Sequence, residues 1–258
     1  MFCSRSALLA IVSAAFVILS LSCTTTRQLS SAFPNMVLKR FLSHQLPATY
    51  ASRLKLWINL RTGEKGRTEL QVYSKHSREY SFFLKDLWGK DLMRALIWED
   101  SILVFYPHEN MFIRETLAKF TQSDYWFWPA SPLDLLKIID GTQFLALEGM
   151  DFSEYADKLY KYRAKREEAN IILSLSPKDA SIRKATFLNE KNENLATIIW
   201  QDVRLYKGYH RPRLINIKLE NSKDEIKIGV LEENFDLELS DNYFRLSISP
   251  TAEQIPLN

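Results

Sequence analysis

The chain has 258 residues, and its 34 basic against 31 acidic side chains leave a formal net charge of +3. This near balance gives no indication of nucleic-acid binding, and the length is sufficient for one sizeable domain. Two cysteines and seven glycines exclude a disulfide-rich scaffold and leave little material for a phosphate-binding glycine loop.

The N-terminus has the pattern of an export signal. Arg5 precedes about fifteen apolar and small residues from Ala7 to Leu21, fewer than the roughly 20 that a membrane-spanning helix needs. Cleavage between Ser22 and Cys23 would leave an N-terminal cysteine, which resembles the lipid-attachment residue of bacterial lipoproteins. The two residues before Ser22 depart from the usual lipobox, so an uncleaved anchor and cleavage at another site stay open as alternatives.

We therefore predict a lipoprotein signal peptide at 1–22, a polar tether at 23–34 and a single domain at 35–258. Cys23 is the predicted lipid-attachment residue, and its acyl chains would hold the protein on a membrane. The other cysteine would leave with the signal, so no disulfide can form in the mature chain. The predicted location is the cell envelope, facing the periplasm, and Thr24 in place of an aspartate after the cysteine favours the outer membrane.

A period of two dominates the sequence after residue 53. In RLKLWINLRT, Leu54, Leu56 and Ile58 share one face while Lys55 and Trp57 take the other. Similar short segments follow as far as YFRLSISP, and Gly, Asp, Asn or Pro separates them. The pattern predicts a meandering antiparallel sheet with one apolar face.

Two segments have helical spacing instead. MVLKRFLSHQL repeats its apolar residues three and four positions apart, and SPLDLLKIIDG combines an N-terminal Ser-Pro with a terminal glycine. These patterns predict helices over 36–46 and 132–140. The polar segment 151–170 is compatible with a helix and with a long strand and turn.

Three segments, EYSFFLKDLWGKDLMRAL, SPLDLLKIIDG and HRPRLINIKLENSKDEIKIGV, carry a family resemblance by their order and spacing. Over residues 35–248 the chain resembles the LolA/LolB superfamily of periplasmic lipoprotein carriers and outer-membrane receptors, together with related bacterial lipoproteins. The resemblance implies a mainly β (α+β) fold, in which a curved antiparallel sheet of about 11 strands forms an incomplete barrel and helices cover its open side. It also implies that lipoprotein or lipid acyl chains occupy an apolar cavity, and that a periplasmic carrier protein is a further partner.

The candidate cavity-lining residues are large apolar side chains on the strands, on the aromatic connection YWFWP and on the second helix. They are Leu56, Ile58, Phe82, Phe105, Trp126, Trp128, Leu136 and Ile139. Packing within a filled core is the alternative for the aromatic members of this set.

The turn sequence Asp86-Leu87-Trp88-Gly89 is the sharpest local feature. Leu87 and Trp88 fall between two predicted strands, where exposed apolar surface is costly unless a partner covers it. By resemblance, they form a membrane-insertion loop and replace a protruding leucine that helps to deliver lipoproteins into the membrane. In the alternative, Trp88 folds back and plugs the end of the barrel.

The sequence has no recognisable catalytic or metal-binding motif. Its four histidines are scattered without metal-ligand spacing, and the adjacent Glu232 and Glu233 would point to opposite faces of a strand. The basic stretch from Lys158 to Arg166 either contacts anionic headgroups or forms a solvated surface. We predict a protein without enzymatic activity, metal or cofactor.

The predicted function is that of an outer-membrane-anchored lipoprotein that binds lipoprotein acyl chains or lipid in its half-barrel and acts in lipoprotein localisation or transport. The alternative is a structural or assembly lipoprotein of the cell envelope with a filled core and no ligand. An apolar cavity of about 300 Å³ or more would distinguish the first from the second.

Overall fold

Alternation of buried and exposed side chains builds most of the chain into β-strands, as a computed structural model describes for residues 32–44, 47–76, 79–126, 131–133, 136, 149–165 and 170–257. Pro34–Asn258 forms one compact unit. Residues 1–31 lie outside the described residues, so the signal, the tether and lipid attachment at Cys23 stay predictions.

Sixteen strands are described. They are β1 (Thr49–Asn59), β2 (Lys65–Lys75), β3 (Glu79–Lys85), β4 (Asp91–Trp98), β5 (Ser101–Tyr106), β6 (Met111–Thr116), β7 (Asp151–Ala156), β8 (Leu159–Lys165), β9 (Asn170–Leu175), β10 (Ile182–Leu188), β11 (Asn194–Gln201), β12 (Arg204–Tyr206), β13 (Tyr209–Arg211), β14 (Leu214–Leu219), β15 (Glu225–Phe235) and β16 (Glu253–Gln254). The helices described in full are α1 (Ala32–Leu42) and α2 (Leu117–Gln122), and Asp241–Phe244 forms a 3₁₀ turn.

Fourteen strands form one sheet in the order β16-β6-β5-β4-β3-β2-β1-β15-β14-β11-β10-β9-β8-β7, and β12 and β13 form a separate two-stranded ribbon. Neighbouring strands of the sheet are antiparallel, except that β16 pairs in parallel with β6. The sheet is curved, and its edge strands β16 and β7 do not pair with each other. The predicted mainly β fold with an incomplete barrel is confirmed.

The number of strands exceeds the predicted eleven for local reasons. The ambiguous segment forms β7 and β8, joined by a turn in which Asp157 and Lys158 have φ of 55° and 63°. Two central residues with positive φ give a hairpin turn whose twist matches that of the strands. Strands β12 and β13 have three residues and β16 has two, which is too short to reveal a period. The segment YFRLSISP, predicted as a strand, contains none.

The sheet has two chemically different faces. Along β1, Tyr50, Leu54 and Leu56 are buried, whereas Arg53 between them is exposed. The strand register carries this inner face across the sheet, and its buried side chains form one hydrophobic core. Burial of each large apolar side chain stabilises the fold by roughly 1.5–3 kcal/mol. We call the opposite side the outer face.

Helix α1 packs onto the inner face. Val37 and Phe41 are buried in its core, and the hydroxyl of Tyr162 on β8 donates a hydrogen bond of 2.8 Å to the carbonyl of Pro34. The helix begins and ends about four residues earlier than predicted, because a proline is tolerated in the first turn of a helix.

Only part of the second predicted helix can be described. Pro132, Leu133 and Leu136 have a helical backbone, and Leu136 is buried in the inner core. The other residues of 132–140 lie outside the described residues. Among the helices of the described ranges, none is both long and apolar enough to cross a membrane.

Candidate functional site

The inner face gathers most of the predicted cavity-lining residues. Leu56, Phe82 and Leu136 are buried in the same core, and Trp126 packs against it. Ile58 continues the row on β1 and is half-buried. Residues that are distant in sequence therefore share one apolar surface.

The prediction that Phe105 lines the cavity on the inner face is wrong. On β5, Val104 belongs to the inner core and Phe105 points the opposite way, toward the outer face. The run 102–105 is buried on both faces, so its apolar pattern could not separate them. Trp128 and Ile139 lie outside the described residues.

The described side chains fill much of the inner face. The largest fully buried ones include Tyr80, Tyr160, Tyr162 and Phe187. The predicted cavity between the sheet and the second helix involves residues outside the described ranges. The cavity therefore stays a prediction, and so does its alternative, the filled core.

An aromatic rim borders the inner face at the edge strand β7. Phe152 and Tyr155 are 41% and 46% exposed, and their ring centroids lie 5.8 and 5.1 Å from that of Tyr160. Burial raises the pKa of the neighbouring Tyr162, which keeps its hydroxyl protonated and able to donate to α1. The sequence did not reveal this rim, because the polar segment 151–170 is compatible with both a helix and a strand.

The turn between β3 and β4 presents the two predicted membrane-insertion residues. Leu87 is 67% exposed and Trp88 is 88% exposed. The carboxylate of Asp86 accepts hydrogen bonds from the backbone N–H groups of Trp88 and Lys90 at 2.8 and 2.9 Å, and Gly89 supplies a φ of +80°. The turn is locally fixed, and Trp88 does not fold back over the end of the sheet, so the plug alternative is wrong.

A second exposed apolar tip lies at the opposite end of the strands. The ribbon of β12 and β13 leaves the sheet between β11 and β14, at the strand ends remote from the β3–β4 turn. Leu205 is 66% exposed and Tyr206 is 44% exposed. Lys207 and Gly208 form the turn, with φ of 49° and 87°. The sequence predicts only short strands of the sheet in this region and does not reveal the ribbon, because each of its strands has three residues.

A buried ion pair fixes the base of the ribbon. Nη2 of Arg211 lies 2.5 Å from Oε1 of Glu233, and both side chains are almost fully buried. The hydroxyl of Tyr50 donates to the same carboxylate oxygen at 3.2 Å and accepts from Arg211 at 2.8 Å. The guanidinium also lies 4.9 and 5.5 Å from the ring centroids of Tyr50 and Phe235.

A β-bulge accounts for the burial of this glutamate. The register between β1 and β15 shifts at Arg53 and Leu54, where β15 has one additional residue. Beyond the shift, Glu232 is exposed and Glu233 is buried. The predicted opposite orientation of the two glutamates is confirmed.

Two of the four histidines meet where α1, the ribbon and the turn between β9 and β10 come together. The ring centroids of His44 and His210 are 4.8 Å apart. Burial lowers the pKa of both; the charge of Arg40 lowers both pKa values further, and Asp179 opposes the shift. In the part of the chain that the structure describes, no three His, Cys, Asp or Glu side chains group closely enough to hold a metal ion.

Three solved structures share this architecture. A LolA superfamily protein from Nitrosomonas europaea matches with a TM-score of 0.60 at 14% identity, over 83% of this chain and 97% of that chain. A DUF1329 family protein from Desulfovibrio piger matches with a TM-score of 0.61 at 15% identity, over 83% and 96%. A structure described as an outer membrane lipoprotein-sorting protein domain, from Vibrio parahaemolyticus, matches with a TM-score of 0.59 at 10% identity, over 82% and 95%. Identities this low establish the fold alone.

No protein-family model matches the chain, and no curated protein matches its sequence.

Proposed function

Because the chain has a LolA-like fold, we propose that it is a lipid-anchored envelope lipoprotein that binds the acyl chains of a lipoprotein or lipid and passes them to the outer membrane. The observation that carries this proposal is the continuous apolar inner face, which α1 covers with the side chains of Val37 and Phe41. The structure from Vibrio parahaemolyticus, described as a lipoprotein-sorting domain, supports the same role.

Binding would occur by partition and needs no chemical step. Each CH₂ group that leaves water for the inner face contributes about 0.8 kcal/mol, and α1 occupies part of the surface that an acyl chain would cover. The exposed rim of Phe152 and Tyr155 is the first apolar surface that a chain meets at the open edge. Cargo would therefore enter beside β7 and replace contacts of α1.

The β3–β4 turn is the proposed contact with the bilayer. Trp88 combines an apolar ring with one N–H donor, which suits the headgroup level of a membrane, and Leu87 beside it would enter the acyl region. Lys90 is exposed on the same turn and would face lipid phosphates. Together with acyl chains on Cys23, this turn would set the orientation of the domain on the membrane.

Transfer of a fluorescent triacylated cysteinyl peptide tests the proposal. The full chain, purified from its own membranes, is loaded with the peptide and mixed with vesicles of phosphatidylethanolamine and phosphatidylglycerol, and the transfer rate is measured. Leu87→Glu should slow transfer by about tenfold or more, because a charge replaces an apolar side chain at the bilayer contact. Leu205→Glu is a matched control, since Leu205 is 66% exposed against 67% for Leu87.

The outcomes separate the two halves of the proposal. Equal transfer rates for Leu87→Glu and the unaltered chain would overturn the role of the turn. Failure of the unaltered chain to take up the peptide would overturn acyl-chain binding itself.

The packing of the described inner-face side chains favours one second candidate, an assembly lipoprotein with a filled core. Native mass spectrometry of the chain extracted from its own membrane distinguishes the two. Co-purifying lipid or lipoprotein supports the carrier, and a bare chain supports the assembly protein.

A further inference from the structure

An aromatic platform lies on the outer face, on the opposite side of the sheet from the proposed acyl-chain surface. Trp57 points outward from β1, near the middle of the sheet, and is half-buried. Its ring lies over Gly229 of the neighbouring β15: a Cβ at that glycine would come within 2.8 and 2.9 Å of two ring carbons. The absence of a side chain there lets the indole lie close against the sheet.

A depression of about 420 Å³ opens beside this ring, within the size range of ligand sites. Its lining combines apolar and polar groups from four adjacent strands. They are Trp57, Ile58, Asn59, Lys65, Gly66, Leu214, Glu225 and Lys227. An apolar surface with a polar margin fits a ligand that is itself polar at its edge and apolar on its face.

The charges around the platform are mainly positive. Lys65 and Lys227 line the depression, and the Nζ of Lys55 and the guanidinium carbon of Arg67 lie 5.6 and 5.9 Å from the indole centroid. The lining carboxylate, Glu225, lies 3.7 Å from Lys227 and offsets part of this charge. The site therefore favours a ligand that carries negative charge.

Hydrogen bonds of two turns fix the margin of the depression. The β1–β2 turn and the β14–β15 turn meet at the same end of the sheet, and the N–H of Arg61 donates a hydrogen bond of 2.8 Å to the carboxylate of Asp224. The β1–β2 turn closes on itself through a 2.9 Å bond from the N–H of Leu60 to the carbonyl of Glu64. Fixed turns reduce the ordering that a ligand would otherwise impose.

We propose that this depression binds an acidic saccharide, a sugar chain that carries carboxylate groups. A pyranose ring has an apolar C–H face, which would lie against Trp57, and hydroxyl groups at its edge. The amide of Asn59 both donates and accepts hydrogen bonds, and the carboxylate of Glu225 accepts them, so both suit hydroxyls. Lys65 and Lys227 pair with the sugar carboxylates.

Calorimetric titration of the full chain tests the site. The probes are trigalacturonic acid, maltotriose as a neutral sugar of the same length, and inorganic phosphate as an anion alone. Lys65→Gln/Lys227→Gln should weaken binding of the acidic trimer by about tenfold. Lys184→Gln/Lys191→Gln removes two exposed lysines from β10 and the β10–β11 turn, outside the depression, and should change it less than about twofold.

Gly229→Ala tests the platform without changing any charge. Its methyl group would displace the indole, and binding of the acidic trimer should fall at least about fivefold. If this variant melts at a much lower temperature, Trp57→Leu serves the same purpose.

Three results would overturn the proposal. They are no binding of the acidic trimer at about 10 mM, equally tight binding of maltotriose or phosphate, and unchanged binding after loss of the platform. The last would mean that Trp57 only packs over the glycine. None of these results depends on acyl-chain transfer, so they leave the proposed function untouched.

Discussion

The β3–β4 turn and the β12–β13 ribbon expose a leucine to nearly the same extent, 67% for Leu87 and 66% for Leu205. Different contacts hold the turn and the ribbon in their conformations. The turn is fixed by its own residues, through Asp86 and Gly89. The ribbon is fixed by Arg211, whose partners come from strands far away in the sequence.

This difference separates two kinds of exposed surface. A turn that depends only on local hydrogen bonds can change its apolar residues with little effect on the core, which suits a surface that contacts a membrane. A ribbon that rests on a buried ion pair transmits changes at its base directly to the core.

Glu233→Gln should lower the free energy of unfolding by about 3–5 kcal/mol, because it leaves the guanidinium of Arg211 buried without its counter-charge. Urea denaturation measures this loss. The double variant Arg211→Met/Glu233→Leu should recover most of the stability, since neither charge is then buried. Asp241→Asn breaks an exposed pair with Lys75 and should cost less than about 1 kcal/mol. If Glu233→Gln and Asp241→Asn lowered the free energy of unfolding by similar amounts, the buried ion pair would matter no more to stability than an exposed one.

Acidification should loosen the ribbon and α1 before it affects the β3–β4 turn. Burial lowers the pKa of His44 and His210 below the ordinary value of 6.5, and the nearby Arg40 and Arg183 disfavour a further positive charge. The folded state therefore binds fewer protons than the unfolded state. The stabilisation is complete above about pH 6.5 and is lost as the pH falls through the lowered pKa values.

Asp179 is the anion that faces both rings, and its charge stays constant over this range. Burial alone would raise the pKa of Asp179, but hydrogen bonds from Ser181 and Ser176 and the charge of Arg183 lower it to about 2. The histidines are therefore the groups that titrate at this contact.

Hydrogen exchange at about pH 7.5 and about pH 5, corrected for intrinsic rates, measures the loosening. Amides of the ribbon and of the end of α1 should lose protection, and His44→Gln/His210→Gln should abolish the difference. His76→Gln, on an exposed turn, should leave it intact. Equal loss of protection in the β3–β4 turn would contradict the prediction.

Asp86→Ala should have only a small effect on global stability, about 1 kcal/mol, because it removes two hydrogen bonds from an exposed turn. Its local effect should be larger: the amides of Trp88 and Lys90 should exchange faster while those of the ribbon stay unchanged. A fall in stability as large as that of Glu233→Gln would mean that the turn, too, is coupled to the core.

The same contrast explains which parts of the molecule could be predicted. The alternation of Leu54, Leu56 and Ile58 and the Asp-Leu-Trp-Gly turn depend on neighbours in sequence, so the strand and the position of Trp88 on a turn could be inferred. Phe105 was assigned to the wrong face because apolar residues surround it on both sides. The meeting of His44 with His210 could not be inferred, because nothing local relates residues that are so far apart.

By itself, the sequence determined that the protein is mainly β, where its hairpins turn and which face of β1 is apolar, since side-chain alternation and turn chemistry act over a few residues. The pairing of β1 with β15, the burial of Glu233 against Arg211 and the position of Trp57 over Gly229 became evident only in the folded chain. Those contacts depend on which distant strands bury their faces together. The same short-range periodicity is compatible with many different strand pairings, and the packing of the whole sheet determines which of them forms.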